Sequence, residues 1–129
     1  MPSAPPVRAS VLVIDDDQDL RTVIQDVLED QGFAVVTAAN GREALDLLLR
    51  GETEPALILL DLAMPVMDGW AFRTEQLKVP QLAQIPVVLF SGDLDVDQAA
   101  LSLNAAATMT KPLRLDGLVT LVDQLARRR

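Results

Sequence analysis

Five short apolar runs alternate along the chain with longer segments of helical periodicity, and this alternation limits the folds open to it. The runs are residues 11–14, 33–37, 56–60, 87–90 and a weaker one at 105–109. Between them, Leu20, Val23, Ile24, Val27 and Leu28 share one helical face, as do Ala44, Leu45, Leu48 and Leu49. A third helix is expected over 69–78 behind Asp68, and Pro80 and Pro86 bracket a loop after it. A fourth follows Asp95 in capping-box form with Gln98. The last starts near Arg114, with Leu118, Leu121, Val122 and Leu125 at helical spacing. Strand–helix alternation of this kind predicts an α/β fold: five parallel strands with five helices on both faces, doubly wound by right-handed crossovers.

In such a sheet all carboxyl ends of the strands lie on one edge, where open α/β folds place their chemistry. Reading the residue past each run gives that edge. Asp15, Asp16 and Asp17 follow the first run and Asp61 the third. Ser91 and Gly92 follow the fourth, and Thr110 and Lys111 the fifth. Several carboxylates, a hydroxyl and an ammonium are therefore expected to converge.

Composition narrows what that cluster can do. The 129 residues contain no cysteine and no histidine, which removes thiolate and imidazole chemistry and any disulfide framework. Crowded carboxylates repel one another, and a hard divalent cation relieves the conflict; an all-oxygen donor set suits Mg²⁺, with Mn²⁺ the alternative, and argues against zinc. An aspartate beside such a cation can serve as a nucleophile toward phosphorus, while Lys111 and Ser91 contact phosphoryl oxygens. The Lys111–Pro112 bond is compatible with either isomer.

Taken singly, each feature has a plainer reading. Asp15 to Asp17 read equally well as turn and N-cap residues, Ser91 as a turn residue and Lys111 as a solvated amine. Met64 and Met67 read as filler, Trp70 as packing and Thr108 as an ordinary strand residue. Their coincidence on one edge favours the joint reading.

In that order the motifs resemble the receiver domain of bacterial response regulators. Asp61-Leu62-Ala63-Met64-Pro65-Val66-Met67-Asp68-Gly69 is similar to the family's phosphoacceptor segment without a mismatch. Residues 11–17 resemble its opening strand and acidic pair, 86–92 its fourth strand, and Thr110-Lys111-Pro112 its Lys-Pro motif. The resemblance covers residues 9–128 and leaves 1–8, with three prolines in its first six residues, as a flexible lead-in. It implies a flavodoxin-like sheet of order 2-1-3-4-5. It implies that Asp61 accepts a phosphoryl group from a histidine kinase or histidine phosphotransfer protein. Mg²⁺ would be held by Asp16, weighted above Asp15, with Asp61 and the backbone carbonyl of Ala63. Ser91 and Lys111 would sense the phosphate, and the surface formed by the fourth helix, fifth strand and fifth helix would then switch to control a downstream target or an output domain. Such a chain is mainly a signalling switch, catalysing at most its own phosphorylation and dephosphorylation. It is expected as a monomer or a phosphorylation-dependent dimer.

Thr108 departs from the pattern, since the family often carries Tyr or Phe three residues before the lysine. This favours, as one alternative, a receiver-shaped binding module that no longer uses phosphate. A haloacid-dehalogenase-like phosphatase is the other: Asp15-Asp16-Asp17 has its Asp-x-Asp form, but the Gly-Thr that usually follows is absent and there is no room for a cap. The net charge of −8 argues against direct nucleic-acid binding, with Arg127-Arg128-Arg129 read as a helix end. No apolar stretch approaches the roughly 20 residues of a membrane span, nor does the start read as a signal peptide. A cytoplasmic protein is expected.

Overall fold

The computed structural model describes residues 8–92 and 96–126. In chain order these form β1 (Arg8–Ile14), α1 (Gln18–Asp30), β2 (Phe33–Ala38), α2 (Gly41–Leu49), β3 (Leu57–Asp61), α3 (Gly69–Leu77), α4 (Pro80–Ala83), β4 (Val87–Ser91), α5 (Val96–Leu103), β5 (Ala107–Thr110) and α6 (Leu115–Ala126). All neighbouring strands pair in parallel, in the order β2-β1-β3-β4-β5. The α/β class and the sheet order match expectation.

One element exceeds the expected five helices. α4 is a four-residue turn of helix in the segment read as a loop. Pro80 supplies a helical φ at its first position, where a missing N–H costs nothing. The buried Gln76 side chain donates to the carbonyls of Leu82 (2.8 Å) and Ile85 (3.2 Å), satisfying the end of the turn. β5 lies later than expected, at Ala107–Thr110 instead of 105–109. The expected Asp95 cap, Asp93 and Arg127 to Arg129 lie outside the described residues, as does the lead-in up to residue 7.

Alternation along the strands divides the core into two layers. Leu12, Ile14, Ile58, Leu60 and Leu89 pack with Leu45, Phe72 and Leu103 of α2, α3 and α5. Val11, Val13, Leu57, Leu59 and Phe90 pack on the other face with Ile24, Leu28, Leu118 and Val122 of α1 and α6. Residues 57–61 and 87–91 are buried throughout, as expected of central strands covered on both faces. Each fully buried Leu, Ile, Val or Phe contributes about 1.5–3 kcal/mol, so this core can carry the cost of a few buried carboxylates at its edge.

A polar contact crosses the first layer. Arg73 on α3 is 3% exposed, and its guanidinium donates to the carbonyls of Leu103 (3.0 Å) and Asn104 (3.1 Å) and to Gln76 Oε1 (2.9 Å). It thereby satisfies the carboxyl end of α5, where Asn104 adopts the left-handed conformation that ends helices (φ 54°).

The loop after β3 holds the clearest backbone strain. Val66 has φ 70°, and the Met67 N–H donates to the Pro65 carbonyl at 2.7 Å, closing a three-residue turn. A β-branched residue is disfavoured there, and its side chain is 80% exposed and gains little in return. Val66→Gly is expected to stabilise the protein by about 1 kcal/mol, after the extra chain entropy of glycine is counted. Urea unfolding should show a higher midpoint with an unchanged slope.

Candidate functional site

β1 and β3 are adjacent in the sheet, but their following helices lie on opposite faces, so a crevice opens between their carboxyl ends. The acidic residues sit there. Asp61 is the last residue of β3, Ser91 of β4 and Thr110 of β5, so the rim residues end the strands instead of following them.

Asp15 is fully buried, yet its groups are matched. Its N–H donates to the Ala38 carbonyl (3.1 Å), its Oδ1 accepts from the Asp17 N–H (2.8 Å), and its Oδ2 accepts from Lys111 Nζ (2.9 Å). Arg21 also donates to its carbonyl at 2.7 Å. Asp17 proves to be the N-cap of α1, accepting from the Leu20 N–H at 3.1 Å; for this acid the plainer reading holds. Asp16 is exposed.

Asp61 is 3% exposed and lies 3.6 Å from Lys111 Nζ. Burial, and then the charge of Asp15, push its carboxyl up to about 6; Lys111 and a hydrogen bond from the Ala63 backbone pull the other way, and Asp16 adds to the rise. Burial pulls the Lys111 ammonium down, but the hydrogen bond and charge of Asp15 and the charge of Asp61 outweigh it, leaving Lys111 above its ordinary value. Lys111 Nζ also stands 5.4 Å from the Phe90 ring centroid, a cation–π contact. Its N–H donates to the Ser91 carbonyl (2.9 Å), which ties β5 to β4 at the rim, and the Lys111–Pro112 bond is cis.

One oxygen from each of Asp15, Asp16 and Asp61 can be chosen so that all lie within 4.8 Å of one another. Their donors are hard, and the repulsion that raises Asp61 is the kind a divalent cation removes, so the residues fit an ion such as Mg²⁺. They border an open cavity of about 650 Å³, which Ser91, Gly92 and Lys111 also line.

The structure thus gathers Asp15, Asp16, Asp61, Ala63, Ser91 and Lys111 at one mouth. Thr108 stands apart, facing α5, where its hydroxyl donates to Asp97 Oδ1 at 3.0 Å. Three residues that line the cavity, Leu62, Asp68 and Trp70, were not expected there as site residues. Asp68 caps α3, accepting from the Ala71 N–H at 2.9 Å, and also lines the cavity. Trp70, read as packing, lines it too and is 44% exposed. A lone tryptophan in the first turn of α3, directly after the Asp61 loop, was the available signal.

The response regulator receiver domain model matches residues 11–123. The chain belongs to this family, whose members are signalling switches. It is 36% identical over 116 residues to an uncharacterized 14.6 kDa protein of Leptolyngbya boryana, covering 88% of this chain and 87% of that one. It is 39% identical over 123 residues to the transcriptional regulatory protein PrrA of Mycobacterium tuberculosis, covering 92% of this chain but only 50% of PrrA. Among solved structures, the receiver domain of a signal transduction histidine kinase from Syntrophus aciditrophicus superposes with a TM-score of 0.81 at 31% identity, over 92% of this chain and 89% of that one.

Proposed function

We propose that the chain is a phospho-accepting receiver that takes a phosphoryl group onto Asp61 from the phosphohistidine of a kinase or phosphotransfer protein. The observation that carries this reading is the grouping of Asp61 with two other acids and Lys111, with the acceptor carboxylate buried at the rim. Asp15, Asp16, Asp61 and the Ala63 carbonyl would hold Mg²⁺. Bound there, the ion would supply positive charge that neutralises phosphoryl oxygens.

The Asp61 carboxylate oxygen forms the new bond to phosphorus as the bond from phosphorus to the imidazole nitrogen breaks. Lys111 remains protonated throughout, because Asp15 and Asp61 hold it above its ordinary value, and it donates to a second phosphoryl oxygen. Ser91, at the end of β4, donates to a third. Asp15 is a poor candidate nucleophile, since both its oxygens already accept hydrogen bonds inside the protein. That argues against the phosphatase alternative.

Phosphorylation would bias a two-state surface formed by α5, β5 and α6 toward a protein target or an attached output domain. Thr108, hydrogen-bonded to Asp97 on α5, takes the place of an aromatic reporter in this reading. We place the protein in the cytoplasm; no described helix is long and apolar enough to cross a membrane. Phosphotransfer from a panel of histidine kinases to wild type and Asp61→Asn tests the proposal. Transfer from at least one kinase to wild type alone is expected; equal labelling of the two proteins, or of neither, contradicts it.

A further inference from the structure

The acceptor cavity has an uneven wall. Ala63 and Gly92 are both exposed and short, and a Cβ built on Gly92 meets no atom within 4 Å. Leu62 also lines the cavity but is 6% exposed and belongs to the core. Trp70 is therefore the one large side chain that both lines the cavity and keeps much of its surface, 44%, open to solvent, among the described apolar residues there. Its backbone is fixed: Asp68 caps the first turn of α3, and the Trp70 carbonyl accepts from the Thr74 hydroxyl at 3.0 Å. Exposing an indole costs apolar hydration that a lysine or glutamate at this site would avoid.

We propose that Trp70 is a positioning residue that screens the mouth of the acceptor cavity and so sets how fast water and small phosphodonors reach the phosphorus. The inference rests on Asp61 being the acceptor. In uptake from acetyl phosphate, an Asp61 oxygen bonds to phosphorus, the phosphorus–oxygen bond of the donor breaks, and acetate leaves with the electron pair. In loss, a water oxygen bonds to phosphorus, the bond to Asp61 breaks, the carboxylate recovers the electron pair, and the water proton is released. In each case the group opposite the Asp61 oxygen must stand in line with it, so donor and water use the same approach. An indole at the mouth would narrow that approach, and unlike the carboxylates of Asp16 and Asp68 on the same cavity it would offer water no acceptor. Neither Ala63 nor Gly92 has a polar side chain to do so.

The test measures both rates by intact mass in Mg²⁺ for wild type, Trp70→Ala and Trp70→Phe, with acetyl phosphate as donor. Trp70→Ala should speed uptake and loss together, each by about fivefold or more, and Trp70→Phe should stay within about twofold of wild type. A merely structural role would slow uptake in the alanine variant. Slower uptake, unchanged rates, or a phenylalanine variant that behaves like alanine overturns the screen. Should Trp70→Ala fail to fold, Trp70→Gln gives the same comparison, because it shortens the wall and supplies an acceptor for water. A wild type that takes up no phosphoryl group removes the Asp61 reading and the screen together; a wild type that is phosphorylated while Trp70→Ala matches it removes the screen alone.

Discussion

Asp61→Asn should make the metal-free protein more stable near neutral pH while abolishing its phosphorylation. Both effects have the same origin. The carboxyl is held at about 6, against 3.8 unperturbed, by burial and by the charge of Asp15. An acid whose folded value is raised binds protons more tightly in the folded state. Its favourable contribution is present below about pH 4, declines as pH rises from about 4 to about 6, and is lost above that. Two units correspond to about 3 kcal/mol at most, so wild type stripped of metal should weaken by that order across this window. Asparagine carries no charge at any pH and escapes the loss. Urea unfolding in chelator at pH 4 and pH 8 should show the variant gaining on wild type only at the higher pH. Adding Mg²⁺ at pH 8 should stabilise wild type more than the variant, because an ion that binds the folded state alone raises stability and the variant has lost a ligand.

Gly69→Ala should be among the most damaging single-methyl changes in the chain. A Cβ at Gly69 would lie 2.5 Å from the Asp61 carbonyl oxygen and 2.8 Å from the Leu62 Cα. Both are backbone atoms, and the Gly69 N–H also donates to the Leu62 carbonyl at 2.9 Å, so neither side can yield without moving the end of β3. The expected cost is about 3 kcal/mol, the upper end of overpacking in a close-packed core. The part of the strain relieved by shifting β3 would displace Asp61 itself. Phosphoryl uptake should therefore fall by more than the loss of folded protein explains, at a temperature where the variant is still folded by circular dichroism. Gly41 is a useful comparison: its Cβ would meet the Met67 side chain at 2.8 Å, the Met67 carbonyl oxygen at 2.9 Å and Phe72 Cβ at 3.0 Å, against the same loop but away from Asp61. Gly41→Ala should reduce stability with a smaller direct effect on uptake.

The parallel sheet and its acidic edge were legible because both follow from local signals. Unbroken runs such as Ile58-Leu59-Leu60 mark strands covered on both faces, and parallel strands leave no choice about which edge carries Asp15, Asp61, Ser91 and Lys111. The sequence also told apart strand-ending acids from helix-capping ones only in part. Asp15 and Asp17 are two residues apart in one acidic run, but one is buried against Lys111 and the other caps α1, and this separation depends on where the chain turns. Arg73 gave no signal of burial, because its partners are the carbonyls of Leu103 and Asn104, which reach it only through tertiary packing. Trp70 was read as packing; that it also lines the cavity depends on how α3 sits against the Asp61 loop, which only the tertiary structure decides. α4 was missed because a four-residue helix that starts on Pro80 is too short to show a period.

The central claim is that Asp61 is the residue esterified. The most direct measurement treats the protein with acetyl phosphate and Mg²⁺, traps the acyl phosphate by borohydride reduction, and locates the reduced residue by peptide mass mapping. Reduction at position 61, absent when Mg²⁺ is withheld, is the predicted result. Reduction at Asp15, or no reduction anywhere in the folded protein, would contradict it.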